Sequence, residues 1–285
     1  MEYASVDLQD WTQVGEGGVG ATYVNEAEPG VLLKVVSSHL SDGSKKTMTQ
    51  EFCTSRAVFE LGIPTPEMIE MVKVGDHYGF KCQSIEGKKS FSRLCADDPA
   101  SIDSWAQKMA ALAKTLHATP ATGKEWIPSM KERMLEAATA TNLLGSKAKE
   151  RLIAFVQGLP DGETFVHGDF QMGNLIMAAD GKPYWIDLGG ASHGIPQFDL
   201  GHMYLFCNIF SRTKRVQEIA HLTDKQMIQF WNSFALAYSG PEKLDEFIAD
   251  CKRFAGLDII LLGYTQNLTF SERFFLGQLA KKIMK

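Results

Sequence analysis

A histidine, an aspartate and an asparagine stand at fixed intervals between two apolar runs: Phe165-Val166-His167-Gly168-Asp169-Phe170-Gln171-Met172-Gly173-Asn174, then Leu175-Ile176-Met177. Asp169 and Asn174 are five apart. A tight loop between short β segments would set that carboxylate beside that amide. The carboxylate can orient a hydroxyl and accept its proton, and the amide oxygen can ligate magnesium. A plain polar surface loop is the alternative, but it requires no such spacing. Further on, Tyr184-Trp185-Ile186-Asp187-Leu188-Gly189-Gly190 ends an apolar strand on a carboxylate thirteen residues after Asn174. Magnesium binds through one or two carboxylates plus phosphate oxygens and water, so Asn174 and Asp187 are candidate metal ligands. Taken alone, Asp187 also reads as a strand-terminating turn.

Two pieces near the start suit phosphate binding. Gly15-Glu16-Gly17-Gly18-Val19-Gly20 is a glycine loop of the kind whose backbone N–H groups approach phosphate. In a dinucleotide-binding fold such a loop opens a helix. Here Ala21-Thr22-Tyr23-Val24 reads as a strand, which favours a strand–turn–strand flap; an ordinary glycine-rich hairpin is the alternative. Lys34 interrupts the apolar run Val31–Val36. An ammonium in a half-buried strand is costly without a partner, unless the strand is an exposed edge. The helix that follows offers Glu51 as the partner; Glu60 is a rival nearer the helix end.

These residues need elements to hold them. Trp11–Val14, Ala21–Asn25, Gly30–Val36, Met68–Val74 and Tyr78–Ser84 read as strands, with one helix over residues 45–61 closed by Gly62. Pro64 and Pro66 force an extended segment between them. From about residue 100 the pattern turns helical: Ile102–His117 is strongly amphipathic, residues 129–158 supply more helix, and everything after Asp199 is helical in character. The expected architecture is α+β, with a small β-rich lobe over residues 1–84 and a larger, mainly helical one over 85–285. Ligands favour the clefts between such lobes.

The order glycine loop, lysine, glutamate, His-x-Asp with its asparagine, then aspartate resembles the protein-kinase-like superfamily. The His167-Gly168-Asp169 form looks like its aminoglycoside phosphotransferase and choline-kinase branch, whereas protein kinases normally read His-Arg-Asp. The match covers residues 11–205. The resemblance implies a bilobal kinase-like fold and ATP- and magnesium-dependent phosphoryl transfer to the hydroxyl of a small molecule. Gly15, Gly17 and Gly20 would cover the phosphates. Lys34 would bind phosphate oxygens and pair with Glu51, and the hinge-like Lys81–Ile85 would read adenine through the backbone of Gln83 and Ile85. Such a hinge also accepts guanine, so GTP stays open. Asp169 would be the catalytic aspartate, with Asn174 and Asp187 holding Mg2+, and His167 and Asp199 would support the catalytic loop. The metal motif reads Asp-Leu-Gly for the family's Asp-Phe-Gly, leaving its carboxylate intact. Only eleven residues separate Asp187 from Asp199. That leaves no room for an activation loop and peptide-docking platform, so a protein acceptor is disfavoured. A nucleotide-binding pseudokinase is the competing reading, and it would not require Lys34, Asp169, Asn174 and Asp187 together.

Composition bounds the rest. The 285 residues carry a net charge of −5, which offers no broad basic surface for nucleic acid or anionic lipid. The five cysteines are scattered, without a CxxC pair, so neither a disulfide framework nor a zinc site is expected. The first residues lack the basic and apolar regions of a signal peptide. The longest apolar runs, such as Leu257–Tyr264, are too short for a bilayer, which points to the cytoplasm. Oligomeric state is not legible. His117, in a Leu-His pair frequent at this point of the family, reads as a packing or capping residue, and Met172 as packing. His193 and His202 flank Asp199 without metal-site spacing. Tyr204, Phe206, Phe210, Trp231, Phe234 and Tyr238 read as core, with a cation-binding wall as the alternative. Asp245, Glu246, Asp250 and Asp258 read as a solvated face.

Overall fold

The computed structural model describes residues 3–16, 20–36, 44–265 and 269–283. The chain forms two compact units, Met1–Lys89 with Ile176–Gly190, and Ser90–Leu175 with Ala191–Lys285. Packing divides the chain after Lys89 and returns Ile176–Gly190 to the first unit. Backbone bonds far apart in sequence account for that return: Trp185 N–H donates to the Pro64 carbonyl (2.8 Å) and Ala179 N–H to that of Glu86 (3.1 Å). A composition shift along the chain cannot reveal them.

The first unit is built on β1 (Ala4–Ser5), β2 (Thr12–Glu16), β3 (Gly20–Val24), β4 (Val31–Val36), α1 (Ser44–Glu60), β5 (Met68–Val74) and β6 (His77–Gln83). The strands make one sheet of order β1-β5-β6-β4-β3-β2. All its pairings are antiparallel except β1 with β5. Strand β4 is interior: Lys34 stands opposite Thr22 on one side and Phe80 on the other. Its side chains alternate faces. Leu33 and Val35 pack with Trp11, Val72 and Val74. Val36 and Leu32 pack with Met48 and Phe52 of α1 and with Phe80 and Cys82. Lys34 shares the parity of Leu32 and Val36, so the same alternation that buries the sheet sends its ammonium toward α1. A second sheet has order β10-β9-β7, from Lys89–Ser90 (β7), Leu175–Met177 (β9) and Pro183–Trp185 (β10).

The second unit is mainly helical: α2 (Phe91–Asp97), α3 (Ile102–Leu116), α4 (Met130–Ala140), α5 (Ser146–Gly158), α6 (Gln197–Tyr204), α7 (Lys214–Ala220), α8 (Asp224–Ser239), α9 (Leu244–Thr265) and α10 (Phe270–Ile283). Thr164–Val166 (β8) pairs antiparallel with Ser192–Gly194 (β11). Caps decide several starts: Ser129 accepts from Glu132 N–H ahead of α4, and Thr223 with Gln226 forms a capping box ahead of α8. The core joins Met130 and Met134 of α4, Leu152 and Val156 of α5, Phe198 of α6, and Phe254, Leu257, Ile259 and Ile260 of α9. Of the six aromatics read as core, Trp231 and Phe234 are fully buried, while Tyr204, Phe206, Phe210 and Tyr238 are partly buried. Among the described residues no helix is long and apolar enough to cross a membrane.

Helices α6 and α9 meet at a glycine. A Cβ on Gly201 would lie 2.5 Å from Phe254 Cβ and 2.6 Å from its carbonyl carbon. Gly201→Ala must therefore push two helices apart, at an expected cost of about 1–3 kcal/mol in urea unfolding. A loss below about 0.5 kcal/mol, the range of an ordinary surface substitution, would contradict this packing.

Candidate active site

The first unit gathers a lysine and two carboxylates. Lys34 Nζ lies 2.6 Å from Glu51 Oε1 and 3.1 Å from Asp187 Oδ1. Lys34 and Glu51 are nearly enclosed, while Asp187 is half-exposed. Burial alone would lower the ammonium's pKa, but Asp187 and Glu51 outweigh it and hold Lys34 charged well above its ordinary range. Glu60 pairs with Arg56 on the exposed face of α1 and takes no part. Asp187 adopts a left-handed backbone, φ 58°, which costs a non-glycine residue energy and gathers at functional sites.

Around these groups lies a cavity of about 270 Å³, lined by Gly15, Gly20, Gln83, Ile85, Lys34, Glu51 and Asp187 together with apolar Leu32, Met68, Phe80 and Ile176. An apolar pocket with one charged end suits a purine attached to phosphates. The N–H of Gln83 is taken by the Glu67 carbonyl at 2.8 Å. Gly15 sits where β2 slips register against β3. Gly20 is required by packing, since a Cβ there would strike the backbone carbonyl of Val35. Gly17 lies outside the described residues.

The second unit carries the His167–Asn174 loop. Strand β8 delivers the chain to buried His167, and Phe170 and Met172 anchor the loop by full burial. Asp199, at the first turn of α6 and 1% exposed, accepts from His167 N–H at 2.7 Å and Gly168 N–H at 2.9 Å. His117, the residue capping α3, reaches the same carboxylate at 3.1 Å through Nε2, and Tyr238 Oη at 2.9 Å through Nδ1. His167 Nδ1 accepts from Asp169 N–H at 3.3 Å. Asn174 Nδ2 donates to the backbone carbonyl of Asp169 at 2.9 Å and to its Oδ2 at 2.7 Å. The loop is thus held from both ends, with the Asp169 carboxylate half-exposed.

Two residues set aside in the sequence join it. His202 Nε2 lies 3.0 Å from Asp169 Oδ1, and its Nδ1 lies 2.9 Å from Asp258 Oδ2. Asp258 is buried at 8% exposure, which corrects its reading as part of a solvated face. The signal was available: an aspartate inside the apolar stretch Leu257–Leu262 needs a buried partner. His193 contacts the Gly162 carbonyl instead. Burial alone would raise the Asp169 carboxyl; the hydrogen bond and charge of His202, with smaller contributions from His167 and Asn174, bring it down to about 2. Burial alone would lower His202, but Asp258 and Asp169 reverse this and hold it well above its ordinary range.

A stability prediction follows from the raised His202. Its contribution is fully present below the unfolded value of 6.5 and is lost as pH rises toward the folded pKa. The slope is about 1.4 kcal/mol per pH unit. The stability advantage of the wild type over His202→Gln should therefore shrink as pH rises above about 6.5 in urea unfolding. An advantage that grows with pH would contradict the ion pairs.

Residues 10–231 match the profile of a phosphotransferase enzyme family. The chain belongs to that family. Its activity class is accordingly phosphoryl transfer to an alcohol group. No curated protein sequence matches it. Among solved structures, aminoglycoside phosphotransferase APH(4)-Ia in a ternary complex with AMP-PNP and hygromycin B is similar at TM-score 0.63 and 15% identity, over 97% of this chain and 93% of that one. The GDP complex of a variant of aminoglycoside 2'-phosphotransferase-IIIa is similar at TM-score 0.56 and 15% identity, over 96% and 91%. Choline kinase LicA from Streptococcus pneumoniae is similar at TM-score 0.54 and 15% identity, over 97% and 94%. These likenesses establish the expected kinase-like fold: a mixed-sheet N-terminal part and a larger helical C-terminal part.

Proposed function

We propose that this phosphotransferase moves the γ-phosphoryl group of ATP to the hydroxyl of a small molecule, with Asp169 as the catalytic aspartate. The observation that carries the reading is the Asp169 carboxylate, ionised, half-exposed and fixed on both oxygens. An in-line displacement needs chiefly positioning and charge neutralisation. Asp169 accepts the hydrogen bond of the acceptor hydroxyl, aims the oxygen at phosphorus, and takes the proton as the new O–P bond forms and the bond from the γ-phosphorus to the bridging oxygen breaks, releasing ADP. Lys34, kept charged between Glu51 and Asp187, supplies positive charge to phosphate oxygens. The 270 Å³ pocket takes the purine, with Gln83 and Ile85 on its wall.

Asp187 and Asn174 each carry an oxygen donor of the kind magnesium takes. Among the described residues no three His, Cys, Asp or Glu side chains gather into a metal cage. Magnesium does not need one, because it takes one or two protein oxygens and fills its shell with phosphate and water. The half-exposed carboxylate of Asp187 and the amide oxygen of Asn174 are the hard donors that would hold it. Bound there, the ion would neutralise charge on the transferring phosphates. The acceptor belongs to the class of aminoglycoside-like compounds, amino alcohols, sugars or hydroxy amino acids. GTP stays open as a donor beside ATP: a relative of the same fold is solved with GDP.

The test is nucleoside diphosphate release from magnesium with ATP or GTP against a panel of those four classes. Release stimulated by one class, dependent on magnesium and lost in Lys34→Ala, supports the reading. Tight nucleotide binding with no stimulated release would favour a regulatory nucleotide-binding protein.

A further inference from the structure

We propose that His202, clamped by Asp258, is a positioning residue that fixes the Asp169 carboxylate for phosphoryl transfer. The inference rests on the phosphotransferase reading and extends it to two residues outside the motifs. Three segments of the second unit contribute: Asp169 on the loop after β8, His202 on α6 and Asp258 on α9. Both ring nitrogens of His202 face carboxylate oxygens, at 3.0 and 2.9 Å. A neutral imidazole has one N–H and could satisfy only one of them; the other contact would set lone pair against lone pair. Between two carboxylates, the geometry therefore assigns an imidazolium.

Asp169 Oδ2 is meanwhile held by Asn174 Nδ2 at 2.7 Å. With Oδ1 on His202, each carboxylate oxygen has one anchored direction, and rotation about the terminal side-chain bond would break both contacts. The remaining lone pairs have a fixed aim, which is what an in-line attack requires of its base. His202 is itself enclosed: its side chain is 14% exposed and that of its partner Asp258 10%. The absent Cβ of Gly201, the residue before His202, lets α6 approach α9 closely enough for the second ion pair. A π-helical turn, Leu205–Ile209, directly follows α6, and such turns are frequent at functional sites. A histidine serving only the core would not aim one nitrogen at the catalytic carboxylate.

The test compares wild type, His202→Ala, His202→Gln and Asp258→Asn under saturating magnesium and ATP, with the acceptor from the panel that wild type phosphorylates, or with water as the acceptor. His202→Ala should lower kcat roughly 10- to 100-fold, the loss typical when a supporting partner of a reactive group is removed. KM values for ATP and acceptor should stay within about threefold. Glutamine keeps a donor where Nε2 stands and should recover part of the loss. Nitrogen NMR of the His202 ring should show both nitrogens protonated near neutral pH in wild type, and Asp258→Asn should shift it toward the neutral form. An unchanged kcat in folded His202→Ala, or no recovery of the loss in His202→Gln, would overturn the proposal. So would a KM effect on the acceptor alone, which would make His202 a substrate contact, or a neutral ring in wild type. Absence of transfer by wild type would instead overturn the phosphotransferase reading on which the proposal rests.

Discussion

Asp169→Asn is expected to lower turnover by about 10²- to 10⁴-fold, the scale of a lost general base, with no change in circular dichroism. The substitution is nearly isosteric. Its amide oxygen still accepts from Asn174, so the loop keeps the bond that closes it. What disappears is the negative charge, the acceptor facing His202 and the ability to take a proton from the acceptor hydroxyl. Turnover within threefold of wild type would remove Asp169 from the chemistry, whatever the fold resembles. The acid side of the pH profile provides a second check. Because His202, with smaller contributions from His167 and Asn174, outweighs burial and holds the Asp169 carboxyl below its ordinary range, activity lost in mild acid is expected to come from another group. The Asn variant should show the same profile shape at its lower rate.

Asp199→Ala should be the most damaging substitution for stability. The carboxylate is fully buried, and it receives two backbone N–H groups and His117 Nε2. Alanine leaves both N–H groups and the imidazole without that acceptor. Each orphaned buried donor costs about 1–3 kcal/mol. The expected total, roughly 3–5 kcal/mol, is a large share of a typical domain's stability. Urea unfolding measures it. Asp199→Asn retains one acceptor oxygen and should lose less. A loss under about 1 kcal/mol for alanine would mean that the catalytic loop is held elsewhere.

The contrast between Asp199 and His202 shows what a linear sequence discloses. Asp199 was legible through a motif, Gln197-Phe198-Asp199-Leu200-Gly201, resembling one in known kinases. Lys34 was legible from chemistry alone, because an ammonium inside an apolar strand demands a partner, and Glu51 lay one helix away. His202 and Asp258 are 56 residues apart. Their meeting depends on the close crossing of α6 and α9 at Gly201, which no local pattern encodes. Asp258 carried a partial signal in its apolar setting, but the presence of acidic neighbours at Asp245, Glu246 and Asp250 made a solvated face the simpler reading. Strand and helix types followed from alternation and 3–4-residue spacing. The return of Ile176–Gly190 to the first unit did not, because it is written in backbone bonds to Pro64 and Glu86 that any side chain could flank.

The most direct measurement follows the label of γ-labelled ATP in the presence of magnesium and the hydroxyl-bearing panel, with small molecules separated chromatographically. The site described here predicts that label moves from ATP to one compound class with wild type and does not move with Asp169→Asn. Equal transfer by the two proteins would contradict the central claim that Asp169 activates the acceptor.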